Sequence, residues 1–142
     1  MLLSFIAETV ADEGLDFVNF ENWTGSASEI ESSTLSLIAD KAKALKHLGI
    51  DKMSGATVAG KHTLACFAAD IINRSPPLTW LSLYDTNFET REIEAIQDAL
   101  TNKKINSLTD IYLYGNQAYF NTDSKCEAWA TVLMNQLGLN NV

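Results

Sequence analysis

Apolar residues recur along this chain with one spacing, apolar-x-x-apolar-x-apolar, in four places: Leu15, Val18 and Phe20; Leu45, Leu48 and Ile50; Leu78, Leu81 and Leu83; Leu108, Ile111 and Leu113. The starts lie 30, 33 and 30 residues apart. Within each set the last two apolar positions alternate with a residue of another kind, the two-residue period of a strand with opposite faces in different surroundings. Helical spacing follows. Leu64, Phe67 and Ile71, then Ile93, Ile96 and Leu100, then Cys126, Trp129 and Leu133 each keep intervals of three and four that place a trio on one helical stripe. Leu35, Ile38 and Ala42 are the corresponding anchors of the first unit.

A strand and a helix in 30 to 33 residues cannot bury an apolar face alone, so successive units must stack and share a core. The expected architecture is an α/β solenoid of about four strand-helix repeats, with parallel strands on a concave inner face and helices outside. A doubly wound sheet also alternates strand and helix, but nothing in it demands equal intervals. The chain reads as a single domain, 1–142, with repeats near 15–44, 45–77, 78–107 and 108–138. Residues 1–14, with Leu3, Ile6 and Val10 on one stripe and Gly14 as C-cap, read as a capping helix or half repeat. Ser28 with Glu31 and Ser124 with Glu127 have the form of capping boxes. Pro76 and Pro77 stop the second helix, and Lys103-Lys104 suits the negative end of the third.

The third unit, through Leu78, Leu81, Leu83, Thr86, Phe88, Ile96 and Leu100, resembles the ribonuclease-inhibitor-like class of leucine-rich repeat, and the fourth adds an asparagine, Asn116, at the position that class favours. The resemblance spans Leu15 to Leu133 as a pattern and is strongest from Leu78 onward. It implies a non-catalytic module that binds a protein or peptide on its concave face. Trp23, Met53 and Thr86 stand where the other units would carry asparagine, so the buried amide ladder of such repeats is expected to be mostly missing.

The strand register places three columns of side chains on the face away from the leucines: Phe17, His47, Trp80 and Asp110; Asn19, Gly49, Ser82 and Tyr112; Glu21, Asp51, Tyr84 and Tyr114. A core does not need large aromatics there, whereas Trp and Tyr are enriched among interface hot spots. Trp80, Tyr84, Tyr112 and Tyr114 therefore form the expected partner-binding site, joined by Phe17, His47, Asp51 and Asp110. Cross-strand stacking that merely stabilises the sheet is the competing account.

A formal net charge of −8 would repel phosphate backbones and anionic lipid, which disfavours nucleic acid and membranes as partners and favours a basic protein surface. The apolar start, Met1 to Ala7, carries no basic residue and reads poorly as a signal peptide. Two cysteines, Cys66 and Cys126, make no disulfide framework; they fit a cytoplasmic setting and are expected to act as small core residues. His62 and Cys66 lie four apart, but two ligands do not close a metal site, so neither metal nor cofactor is expected. The alternative function is a small nucleotide-binding or phosphoryl-transfer domain using the 55–63 loop. There Gly55, Gly60, Lys61 and Thr63 approach a phosphate-loop pattern, with His62 displacing the hydroxyl that should follow the lysine. A third reading is self-association through uncovered sheet ends.

Overall fold

A computed structural model describes residues 16–21, 32–41, 43–53, 55–74, 78–103, 107–117 and 119–136. The expected helix at 1–14, Leu15, Trp23, the Ser28 and Glu31 box, Ala42, the two prolines, Lys104 and the tail beyond Gln136 lie outside these residues. Strand and helix alternate: β1 (Phe17–Glu21), α1 (Ser32–Lys41), β2 (His47–Asp51), α2 (Val58–Arg74), β3 (Trp80–Ser82), α3 (Thr90–Asn102), β4 (Asp110–Tyr112) and α4 (Asp123–Gln136). The strands form one parallel sheet in chain order, β1-β2-β3-β4. Register repeats from pair to pair: Phe17 faces His47, His47 faces Trp80, and Trp80 faces Asp110. These are the partners that the repeated spacing demanded.

The core lies between one sheet face and the helices. Val18, Phe20, Leu48, Ile50, Leu81 and Leu83 point into it, together with Leu45, Leu78 and Leu108 from the strand approaches. From the helices come Leu35, Ile38 and Ala39, the trio Leu64, Phe67 and Ile71, and the trio Ile93, Ile96 and Leu100. Ile111 on the last strand and Leu113 just after it are only half-buried.

Backbone bonding continues past both ends of the strands. Before them, Lys46 N donates to Asp16 O (3.0 Å), Thr79 N to Lys46 O (2.8 Å) and Thr109 N to Thr79 O (2.8 Å), one step repeated at each pairing. After them, Lys52 N donates to Tyr84 O (2.8 Å) and Asp85 N to Tyr114 O (2.7 Å). Here the chain turns out of the sheet through a left-handed residue in the same place of three units: Lys52 (φ 56°), Asp85 (φ 53°) and Gly115 (φ 89°). A Cβ on Gly115 would sit 2.5 Å from the Cα of Asp85, so glycine here serves close stacking as well as positive φ.

The next position, where the repeat pattern favours asparagine, is buried at Met53, Thr86 and Asn116. Asn116 Nδ2 donates to Leu83 O (2.8 Å) and Leu113 O (3.0 Å), while its Oδ1 accepts from Thr86 Oγ1 (2.6 Å) and Phe88 N (3.1 Å). One amide thus ties the turn after β3 to the turn after β4, and Thr86, where the pattern would carry asparagine, donates to it. Met53 fills its place as a wholly buried apolar side chain.

Three expectations are corrected. Helix α4 buries Trp129, Val132 and Gln136, not the stripe through Cys126, because Gln136 Nε2 turns toward α3 and donates to Leu100 O (2.6 Å). Its cap is Thr122, whose Oγ1 accepts from Lys125 N (3.4 Å); Ser124 lies within the first turn, so Ser124 and Glu127 form no box. Both cysteines are exposed rather than in the core, each standing off its helix's buried stripe. Lys103 does lie at the end of α3, but it is buried, with Nζ donating to Ser107 Oγ (3.1 Å), and burial lowers its pKa.

Candidate functional site

With the helices on one face, the other presents the residues that alternate with the leucines. Phe17, Tyr112, Tyr84 and Tyr114 are exposed there, Tyr114 to 72% of its surface. An unbroken aromatic row crosses the sheet. Phe17 and His47 have ring centroids 6.0 Å apart, His47 and Trp80 stack at 5.9 Å with 28° between planes, and Trp80 meets Tyr112 at 5.5 Å. A second pair, Tyr84 and Tyr114, stacks at 5.9 Å and 16° just past the strand ends. The strand spacing of about 4.8 Å sets this rhythm for the in-register neighbours Phe17, His47 and Trp80, while Trp80 reaches Tyr112 on the diagonal, two residues along from its register partner Asp110.

Asp110 is exposed at the Trp80 register and accepts from Thr109 Oγ1 (2.7 Å). Asp51 Oδ1 accepts from Ser82 Oγ and from Tyr84 N (3.0 Å), which fixes the strand exit beside Tyr84. Glu21 holds Lys52 Nζ at 2.6 Å, and that bond raises the lysine's pKa. These groups frame a shallow hollow of about 330 Å³ lined by Glu21, Asp51, Lys52, Trp80, Ser82, Tyr84 and Tyr112. The hollow joins aromatic walls to carboxylates, a combination suited to a cationic side chain whose stem needs apolar cover.

All eight sequence-derived candidates, Phe17, His47, Asp51, Trp80, Tyr84, Asp110, Tyr112 and Tyr114, thus lie along this one sheet face or the turns at its edge. Sequence reasoning missed Lys52. Its left-handed backbone brings it back over Glu21, and a lysine directly after a strand carries no signal of that turn.

The glycine-containing loop takes another course. Gly60 is buried in the first turn of α2, its N donating to Thr57 Oγ1 (3.1 Å). Thr63 Oγ1 donates back to Ala59 O (3.0 Å), and Lys61 Nζ reaches Asn87 O at 3.5 Å. Gly55 is exposed in the turn before the helix. The hydroxyl and ammonium of that pattern are therefore directed to backbone carbonyls of the chain itself. His62 and Cys66 are neighbours on α2, and among the described residues no three His, Cys, Asp or Glu side chains gather as metal ligands. No described helix is long and apolar enough to cross a membrane. The sequence matches no known family model, and comparisons with curated proteins and with solved structures find no match either.

Proposed function

We propose that the chain is a leucine-rich-repeat solenoid of the ribonuclease-inhibitor-like kind, working in the cytoplasm as a non-catalytic module that binds a protein or peptide along the sheet face bearing Trp80. The observation that carries this reading is the aromatic row from Phe17 through His47 and Trp80 to Tyr112, lying on the face that the described helices leave open. Support for the solenoid comes from the repeated register, the left-handed residue recurring at Lys52, Asp85 and Gly115, and the Asn116 amide linking adjacent turns.

Partner chemistry follows from charge. Net −8, with Asp110 exposed at the Trp80 register while Glu21 and Asp51 are bonded to Lys52, Ser82 and Tyr84, favours a basic, extended segment whose Lys or Arg stems lie on the rings. An array of extended peptides that vary in Arg and Lys content, probed with wild type and with a Trp80→Ala/Tyr112→Ala variant, tests this. Basic peptides should bind wild type in a salt-sensitive way. The double variant should lose about 2 kcal/mol or more, near thirtyfold in affinity, while keeping its unfolding midpoint. Equal retention by both proteins would remove the face from the account.

A further inference from the structure

Outside the sheet face, one cluster of chemically able side chains has no role in that function. Cys66 and His62 lie four residues apart on α2, with Cys66 Sγ 3.7 Å from His62 Nε2. On the far side of the ring, His62 Nδ1 lies 3.5 Å from Oε1 of Glu92, an α3 residue whose side chain is 2% exposed. Among the described residues, neither His62 Nδ1 nor Glu92 Oε2 has a hydrogen-bond partner, although both atoms are buried. The 3.5 Å approach is therefore a close contact without an aligned hydrogen bond. A buried carboxylate oxygen without a partner is costly, and a positive charge forming on the adjacent imidazole would offset that cost. Cys66 itself is exposed, and with His62, Leu35, Ser36, Thr63 and Asp70 it lines an open cleft of about 320 Å³ between α1 and α2.

We propose that Cys66, His62 and Glu92 form a reactive-thiol site that takes up low-molecular-weight disulfides as a mixed disulfide on Cys66. His62 Nε2 accepts the proton of the Cys66 thiol, and the resulting thiolate attacks one sulfur of the incoming disulfide. The new bond forms from Cys66 Sγ as the old S–S bond breaks. Its electron pair leaves on the departing thiolate, which then collects the proton from the imidazolium; Cys66 is oxidised and the released thiol is the reduced product. Glu92 is a positioning residue that faces the imidazolium, and Arg91 Nε donates to the same Oε1 at 2.8 Å.

The surrounding charges are engaged elsewhere. Asp70 Oδ1 pairs with Arg74 Nε at 2.8 Å, Arg74 Nη1 reaches Asp40 of α1 at 2.8 Å, and Lys61 points to Asn87 O. Beneath α2, strand β2 turns His47 and Asp51 to the opposite sheet face. The chain has two histidines, and the other is this His47, so Cys126, an equally exposed thiol on α4, supplies a comparison within the same protein.

The test uses the full chain as two single-thiol variants, Cys126→Ser and Cys66→Ser, with oxidised glutathione and a chromogenic aromatic disulfide as probes. At pH 7, Cys66 should react at least about tenfold faster than Cys126. Adding His62→Gln to the Cys126→Ser protein should abolish that excess and remove the low-pH limb of its rate profile; Glu92→Gln should have the smaller effect in the same direction. Equal rates at the two cysteines overturn the proposal, and that comparison needs no histidine variant to fold. A His62→Gln protein with unchanged unfolding midpoint and unchanged Cys66 rate overturns it as well.

Discussion

At the scale of single residues, Asn116 does more for this fold than any surface pair, because its one amide satisfies two carbonyls and accepts from two donors across adjacent turns. Exposed ion pairs such as Lys52 with Glu21 contribute little by comparison. Asn116→Ala strands buried polar partners, and urea unfolding should show a loss of about 2–4 kcal/mol. The asparagine was legible in the sequence from its place in the repeat, but its partner was not. Thr86 reads as a missing asparagine until its hydroxyl is seen to lie 2.6 Å from Asn116 Oδ1. The left-handed turn was hidden for a similar reason: lysine, aspartate and glycine share the conformation at residues 52, 85 and 115 without sharing a side-chain type. Backbone geometry imposed by stacking, rather than propensity, selects it there.

At the scale of elements, periodicity located the buried stripes where polar residues flanked them and failed where they did not. Helix α3, with Glu89 at its N-cap, places Arg91, Glu94 and Asp98 around Ile93, Ile96 and Leu100, so its apolar trio was unambiguous. Helix α4 carries apolar residues on several sides, including Ala128, Ala130, Val132, Leu133 and Met134. Intervals of three and four then fit both the Cys126 stripe and the Trp129, Val132, Gln136 stripe, and packing against α3 decides between them. Trp129→Ala should accordingly cost about 3–5 kcal/mol in denaturant unfolding, while Cys126→Ala should stay within about 0.5 kcal/mol. The end of α3 gives a pH-dependent expectation. Burial lowers the pKa of Lys103 from its ordinary 10.5, so between the folded and unfolded pKa values the unfolded chain binds more protons. Stability should therefore rise as pH climbs through the folded pKa toward 10.5, and Lys103→Met should flatten that rise in unfolding midpoints measured across the alkaline range.

At the scale of the whole molecule, equal spacing in the sequence becomes equal register in space, and that correspondence turns isolated aromatic residues into a surface. Strand order and the in-register columns were legible because a parallel sheet of like units leaves one pairing that turns the strand aliphatics toward the helices. The electrostatic detail of the face was not, since it depends on which carboxylates the chain consumes: Asp51 on Ser82 and Tyr84, Glu21 on Lys52. The net acidity left over is what draws a basic partner in the proposed function. The central claim, that the ring-bearing face is a docking surface, is tested most directly by following the Trp indole N–H signals in NMR during titration with an arginine-rich extended peptide. The Trp80 indole signal should move saturably while that of Trp129, buried on the core side of α4, stays in place. A Trp80 signal that does not move, with saturable shifts confined to the helices, would contradict the account.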